Sequence, residues 1–244
     1  MPATIPLPHV FRPGFATHSP EALAKDRRLA APLPRAVRAG RVPIAIVAAV
    51  LGMATELSGA ESEASADTPP VRVLVVYHSR RGNTEKMALA VADAARRVPG
   101  VSASVKRVQE ATKEDLQAAD GLALGSPTYF AGIAGEMKVI MDDWNWKWKV
   151  DFTDKVGGAF ATGGGQTGGK EQTVVSLLLF MLNNRMIVAG PLYQNETGED
   201  IWGELGSSAM TGPLDPGVGD AELDAARRLG DRVARLAKRL QGRL

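Results

Sequence analysis

Val71-Arg72-Val73-Leu74-Val75-Val76-Tyr77, followed at once by His78-Ser79-Arg80-Arg81-Gly82-Asn83-Thr84, is the stretch on which the reading of this chain turns. A continuous run rich in β-branched residues suits a parallel strand buried on both faces. From Thr84 to Val98 the apolar residues fall at Met87, Ala90, Val91, Ala94 and Val98, the stripe of an amphipathic helix that stops at Pro99-Gly100. A strand, a short loop with small and hydroxylic residues, and then a helix aim backbone N–H groups and the positive end of the helix dipole at one point. That point is a ready site for an anion, and a phosphate is the expected occupant.

Working outward, strand and helix patterns alternate. Val101, Ala103 and Val105 alternate with Ser102, Ser104 and Lys106, as in a half-exposed strand at a sheet edge. Thr112 and Asp115 predict a capping box opening a short helix. Gly121 to Gly125 reads as a third strand, Met137, Ile140, Met141 and Trp144 as a helical stripe, and Val156 to Thr162 as a fourth strand. An almost wholly apolar helix runs from Thr173 to Leu182, a fifth strand from Met186 to Ala189. The last helix starts near Asp220 and is expected to bury Leu223, Ala226, Val233, Leu236 and Leu240. Five strands interleaved with helices predict a doubly wound α/β domain over residues 71–241, with a five-stranded parallel sheet covered on both faces. With only the second strand patterned as an edge, the expected order is 2-1-3-4-5, and binding loops should follow strands one, three and four.

Composition sets limits. Apolar residues make up 45% of the 244 and charged residues 23%, enough for a packed core. There is no cysteine, which excludes disulfides, thiolate nucleophiles and cysteine-ligated metal, and no metal site is expected. A net charge of +2 is too small to suggest a nucleic-acid partner.

Residues 1–70 stand apart. Arg12, Lys25, Arg27, Arg28, Arg35, Arg38 and Arg41 precede an apolar run from Val42 to Met53, and an acidic, Ser/Ala-rich stretch follows to Pro70. Basic, apolar, then small and polar is the order of an export signal, here spanning about residues 25–66. The apolar run is shorter than the roughly 20 residues of a membrane-spanning helix. One reading is therefore an exported, periplasmic protein with no permanent span. The other is a tail, or a true start downstream such as Met53, and a cytoplasmic protein.

Three loops carry unusual residues. The first offers Ser79, Asn83 and Thr84 as hydrogen-bonding groups around Gly82, yet has neither the dinucleotide glycine fingerprint nor a Walker ending. The second, Gly125-Ser126-Pro127-Thr128-Tyr129-Phe130-Ala131-Gly132, sets two aromatics beside a proline-stiffened turn. They either flank a planar ring or plug the end of the sheet. In the third, Thr162-Gly163-Gly164-Gly165-Gln166-Thr167-Gly168-Gly169, the glycines signal either a backbone running close to a ligand or a surface loop.

Taken together, these loops resemble those of flavodoxin-like FMN proteins, in particular NAD(P)H:quinone oxidoreductases of the tryptophan-repressor-binding-protein type. The likeness rests on Tyr77-His78-Ser79…Gly82-Asn83-Thr84-Glu85-Lys86-Met87-Ala88, on Gly125-Ser126-Pro127-Thr128-Tyr129-Phe130…Gly135-Glu136-Met137-Lys138, and on Gly168-Gly169-Lys170-Glu171-Gln172-Thr173. It implies a flavodoxin-like fold and FMN as cofactor. Ser79, Arg80, Arg81, Gly82, Asn83 and Thr84 would hold the FMN phosphate, and Pro127, Thr128, Tyr129 and Phe130 would line the isoalloxazine. The stretch from Ala161 through Thr162, Gly163, Gly164, Gly165, Gln166, Thr167, Gly168 and Gly169 would wrap its pyrimidine side. The implied reaction is two-electron transfer from NAD(P)H to a small-molecule quinone, with no catalytic side chain and a homo-oligomer, dimer or tetramer, as the assembly. The alternative is a flavodoxin-type electron carrier.

The chain departs from the family at two points. Arg81 stands where an aromatic is common, and Asn183 or Asn184 where a histidine often follows the fourth helix. Trp144, Trp146 and Trp148 alternate. Their default is core packing or a subunit contact, whereas the resemblance would have Trp146 or Trp148 roof a quinone pocket. Arg80 and Arg81 are either solvated charges or contacts for the FMN phosphate or a phosphate of NADPH; His78 is read as structural, Lys170-Glu171 as a helix start, and Arg227, Arg228, Arg232, Arg235 and Arg239 as a solvated face. The connection from Tyr193 to Gly219, carrying Trp202, is too long for a turn and is expected to fold over the flavin or onto a neighbouring subunit.

Overall fold

A computed structural model describes residues 69–213 and 217–242. The signal-like segment 25–66, and the extension before Pro69, lie outside the described residues. The elements in order are β1 (Val71–Tyr77), α1 (Asn83–Arg96), β2 (Val101–Arg107), α2 (Lys113–Ala118), β3 (Gly121–Tyr129), β4 (Gly132–Ile133), α3 (Gly135–Trp146) and β5 (Val156–Gly163). They continue with α4 (Lys170–Asn183), β6 (Ile187–Val188), β7 (Leu192–Gln194), β8 (Asp200–Gly203), β9 (Ser207–Met210) and α5 (Asp220–Leu240).

The parallel sheet has the order β2-β1-β3-β5-β6. Counting only the five expected strands, that is 2-1-3-4-5. β1 pairs in register with β2 on one side, from Val71 with Val101 to Tyr77 with Arg107, and with β3 on the other. The period of two divides β1 cleanly. Val71, Val73, Val75 and Tyr77 join a core under α1 and α5, while Leu74 and Val76 join a second core under α2, α3 and α4. Because helices cover both faces, apolar residues fill both sets of positions. The second core centres on Trp144, which packs at 6.3 Å from Phe152 and 6.2 Å from Phe180 between ring centroids. On α5, Ala226, Leu229, Val233, Ala234 and Ala237 are buried and Leu223 and Leu236 partly so. Leu240, expected inside, is exposed because it ends the helix beyond the sheet.

The fifth strand position differs from expectation. β6 is only two residues long and pairs with the start of β5, at Val156 and Gly157. The rest of that edge is β9, whose Ser207–Met210 pairs in parallel with Phe160–Gly163. The long connection thus supplies half a strand. Its remainder forms the antiparallel pair β7–β8, in which Trp202 lies 5.3 Å from the ring of Tyr193, and Arg228 of α5 caps Tyr193 at 5.3 Å. Trp202 accordingly sits beside α5, not over the carboxyl rim of the sheet. No helix among the described residues is long and apolar enough to cross a membrane.

Candidate functional site

The carboxyl ends of β1, β3 and β5 converge on a cleft of about 310 Å³, lined by Ser79, Arg80, Arg81, Asn83, Thr84, Pro127, Thr128, Tyr129, Thr162, Gly163 and Gly164. This volume is at the lower end of the range for small-molecule sites, about 300–1,000 Å³.

Its floor is the start of α1. Gly82 is the N-cap with φ 83°, and no side chain caps the helix. A left-handed residue at this corner favours glycine. Ser79 Oγ accepts from Gly82 N at 3.0 Å, which closes the loop on itself, and among the described residues no side chain caps the first-turn amides of Asn83, Thr84 and Glu85. A helix normally finds partners for these donors. Asn83 and Thr84 line the cleft, at the positive end of the helix dipole.

Hydrogen bonds tie the loops to one another. Thr84 Oγ1 and Thr162 Oγ1 are 2.8 Å apart and buried, joining the loops after β1 and β5. Thr128 Oγ1 donates to Thr173 Oγ1 at 2.9 Å, joining the loop of β3 to α4. Tyr129 is held in place by Arg80, whose guanidinium lies 5.3 Å over the ring and pairs with Glu136 at the start of α3. That pairing raises the Arg80 pKa and lowers that of Glu136.

Beneath the loop, Arg107 donates to Ser79 O at 3.0 Å and to Glu85 Oε2 at 2.7 Å, and stacks over Tyr77 at 5.4 Å. Burial, together with the Glu85 hydrogen bond and charge, pushes the Tyr77 hydroxyl up to about 12. His78 is buried, with Nδ1 3.4 Å from Gln109 Nε2 and Nε2 4.0 Å from Glu136 Oε2. Burial lowers its pKa against the pull of Glu136, so it is a neutral packing residue at neutral pH.

This is the geometry of a flavodoxin fold, and the comparisons agree. The family described as NADPH-dependent FMN reductase matches residues 102–198. A protein named flavodoxin from Aquifex aeolicus is 37% identical over 163 residues, covering 67% of this chain and 85% of that one. The chain belongs to the flavodoxin-like FMN proteins. A relative named NAD(P)H dehydrogenase (quinone) from Sinorhizobium fredii is 36% identical over 200 residues, covering 69% of this chain and 98% of that one. Among solved structures, the flavodoxin, WrbA-like protein from Agrobacterium tumefaciens superposes with a TM-score of 0.54 at 26% identity, over 69% of this chain and 98% of that one.

In this flavodoxin-like frame the expected site residues divide between the cleft and the turns around it. Those of the first loop line the cleft, Gly82 excepted, which shapes the turn beneath it. Pro127, Thr128 and Tyr129 line it too. Phe130 does not; it is fully exposed at φ 50°, the first residue of a two-residue turn between β3 and β4, with Ala131 at φ 64° the second. Of the glycine loop, Thr162, Gly163 and Gly164 line the cleft, while Gly165, Gln166 and Thr167 are exposed beyond it. The glycines at 168 and 169 serve the backbone itself. A Cβ at 168 would stand 2.0 Å from Gly164 O, and one at 169, where φ is 88°, 2.7 Å from Ala131 Cα.

Trp146 and Trp148 lie outside the cleft. α3 starts at the rim with Gly135 and runs antiparallel to the strands for 12 residues, about 18 Å, so both sit at the opposite end of the sheet. There Trp148 packs against the core and Trp146 is exposed. Asn184 caps α4 at that same far end, donating to Phe180 O at 2.8 Å. Lys170 opens α4 and pairs with Glu171, as expected. Thr211, Gly212 and Pro213, just after β9, line the cleft and were not singled out in the sequence. Their signal was the excessive length of the connection carrying them. Among the described residues, no group of three or more acidic or histidine side chains could hold a metal.

Proposed function

We propose that this protein is an FMN-dependent oxidoreductase, a two-electron NAD(P)H:quinone reductase. The observation that carries the reading is the uncapped start of α1, with its free amides, at the place where the loops of β1, β3 and β5 meet. The residues fit FMN. The amides of Asn83, Thr84 and Glu85 would take its phosphate, Pro127 to Tyr129 would flank the ring system, and Thr162 to Gly164 would close the other edge. Bound there, FMN supplies two-electron transfer from a nicotinamide to a quinone.

The chain's own part is to bind and orient. The Thr84–Thr162 pair keeps the two loops at a fixed separation, and Arg80 holds the Tyr129 ring against rotation. The names of the Sinorhizobium relative and the matching reductase family support the nicotinamide donor and quinone acceptor. Exposed Val139 and Trp146 on α3 and Leu179 and Leu182 on α4 support a homo-oligomer.

The test is steady-state kinetics of the purified, FMN-loaded protein with NADH or NADPH and benzoquinone. Ping-pong kinetics are expected, and no oxidation of either nucleotide would overturn the reading. The second reading, an electron carrier, is favoured by the Aquifex relative's name. It predicts no nucleotide oxidation alone, but reduction when a separate reductase is added.

A further inference from the structure

Three guanidinium groups surround the phosphate-binding loop, and two of them are already engaged. Arg80 is paired with Glu136 and stacked on Tyr129. Arg107 is bonded to Ser79 O and Glu85 and stacked on Tyr77. The nearby carboxylates Glu85 and Glu136 are thereby taken. Arg81 is different: it is exposed, lines the cleft, and has no ion-pair partner among the described residues. The uncapped amides at the start of α1 offer the FMN phosphate its own donors, which leaves this side chain available to a second anion. It stands at the mouth of the cleft, where a second anionic molecule would have to approach a bound dianion.

We infer that Arg81 is the contact for a phosphate group of the nicotinamide dinucleotide, either its pyrophosphate or a 2′-phosphate. This rests on the proposed reductase reading. Physically, a free guanidinium offsets the repulsion between two phosphate-bearing molecules sharing one cleft, and a charge-assisted hydrogen bond from it orients the incoming nicotinamide. Lysine keeps the charge but not the forked geometry.

The experiment compares wild type, R81A and R81K. FMN dissociation constants are measured by flavin fluorescence, binding of 2′,5′-ADP and of ADP to the FMN-loaded protein by calorimetry, and KM for NADPH and NADH by kinetics. R81A is expected to weaken nucleotide binding and raise KM by about tenfold or more, with R81K between, while the FMN constant changes less than about twofold. An effect confined to 2′,5′-ADP and NADPH assigns the 2′-phosphate; an equal effect on both nucleotides assigns the pyrophosphate. A weakened FMN constant with unchanged nucleotide binding would overturn the inference, as would no change in either. The fragment measurements separate it from the reaction itself. If wild type oxidises neither dinucleotide yet loses 2′,5′-ADP binding on R81A, the reductase reading fails and the phosphate contact stands.

Discussion

The starts of α1 and α2 make an instructive pair. Each follows a parallel strand, β1 or its neighbour β2, and each begins on the carboxyl side of the sheet. At α2 a capping box satisfies one first-turn amide and the N–H of the N-cap residue locally: Asp115 N bonds Thr112 Oγ1 at 3.2 Å, Thr112 N bonds Asp115 Oδ2 at 2.8 Å, and Lys106 Nζ closes on the same carboxylate at 2.6 Å. At α1 a left-handed glycine takes the N-cap position and nothing caps the first turn. α2 follows the edge strand β2, whereas α1 follows β1, whose loop shares a cleft with those of β3 and β5. The difference shows where binding capacity comes from. A helix start with a side-chain cap gains stability from it; one left without a cap at the rim of the sheet keeps that donor for a ligand.

Closing the α1 start should have the largest effect. In S79D a carboxylate can still accept from Gly82 N, so apo stability should hold or rise slightly through the helix dipole. The same charge faces the phosphate, and the FMN dissociation constant should rise by about 100-fold or more. Fluorescence titration and thermal melts, read together, check the opposed signs.

Opening the α2 start should do the reverse. T112A removes the side-chain half of the capping box and should cost about 1 kcal/mol of stability in urea unfolding, with FMN affinity unmoved. A shared loss of affinity would erase the distinction between the two helix starts.

The start of α4, on the same side, sharpens the comparison. α4 opens on Gly169, packed against Ala131, which sits at φ 64° in the turn after β3. A131G removes the left-handed penalty and should stabilise by about 0.5–1 kcal/mol, visible as a higher urea midpoint.

The smallest effect is a dependence on pH. Burial raises the Asp115 pKa, but the hydrogen bonds from Lys106 and Thr112 outweigh it and the net direction is down. The stabilisation is therefore complete above the unfolded aspartate pKa of about 3.9 and is lost as pH falls through the lower folded value. D115N should flatten the stability–pH curve in that acid window and leave its slope above about pH 5 unchanged.

Much of this was legible in order along the chain. The β-branched run of β1, the alternation of β2 and the Thr112–Asp115 box each follow from local stereochemistry, and the five-strand order from which strands were patterned as edges. The phosphate loop was legible for the same reason, since its strand, turn and helix are contiguous. The split fifth strand was not. β9 lies in the sheet only because Ser207–Met210 finds the free edge of β5, a pairing across more than 40 residues that no local pattern announces.

The tryptophans show the same limit. Alternating aromatics mark a surface of high apolar content, but whether Trp146 and Trp148 face the cleft or the opposite end depends on the direction in which α3 crosses the sheet. The amino-acid sequence by itself determined the first four strands of the parallel sheet and its helices, and which contiguous turn can receive a phosphate, because backbone sterics and side-chain periodicity act over a few residues. The tertiary structure alone decided that Thr211 to Pro213 line the cleft, that the glycines at 168 and 169 serve backbone packing, and that Arg80 is engaged while Arg81 has no ion-pair partner among the described residues. Those outcomes depend on distances between segments remote in the chain, which only the packed sheet sets.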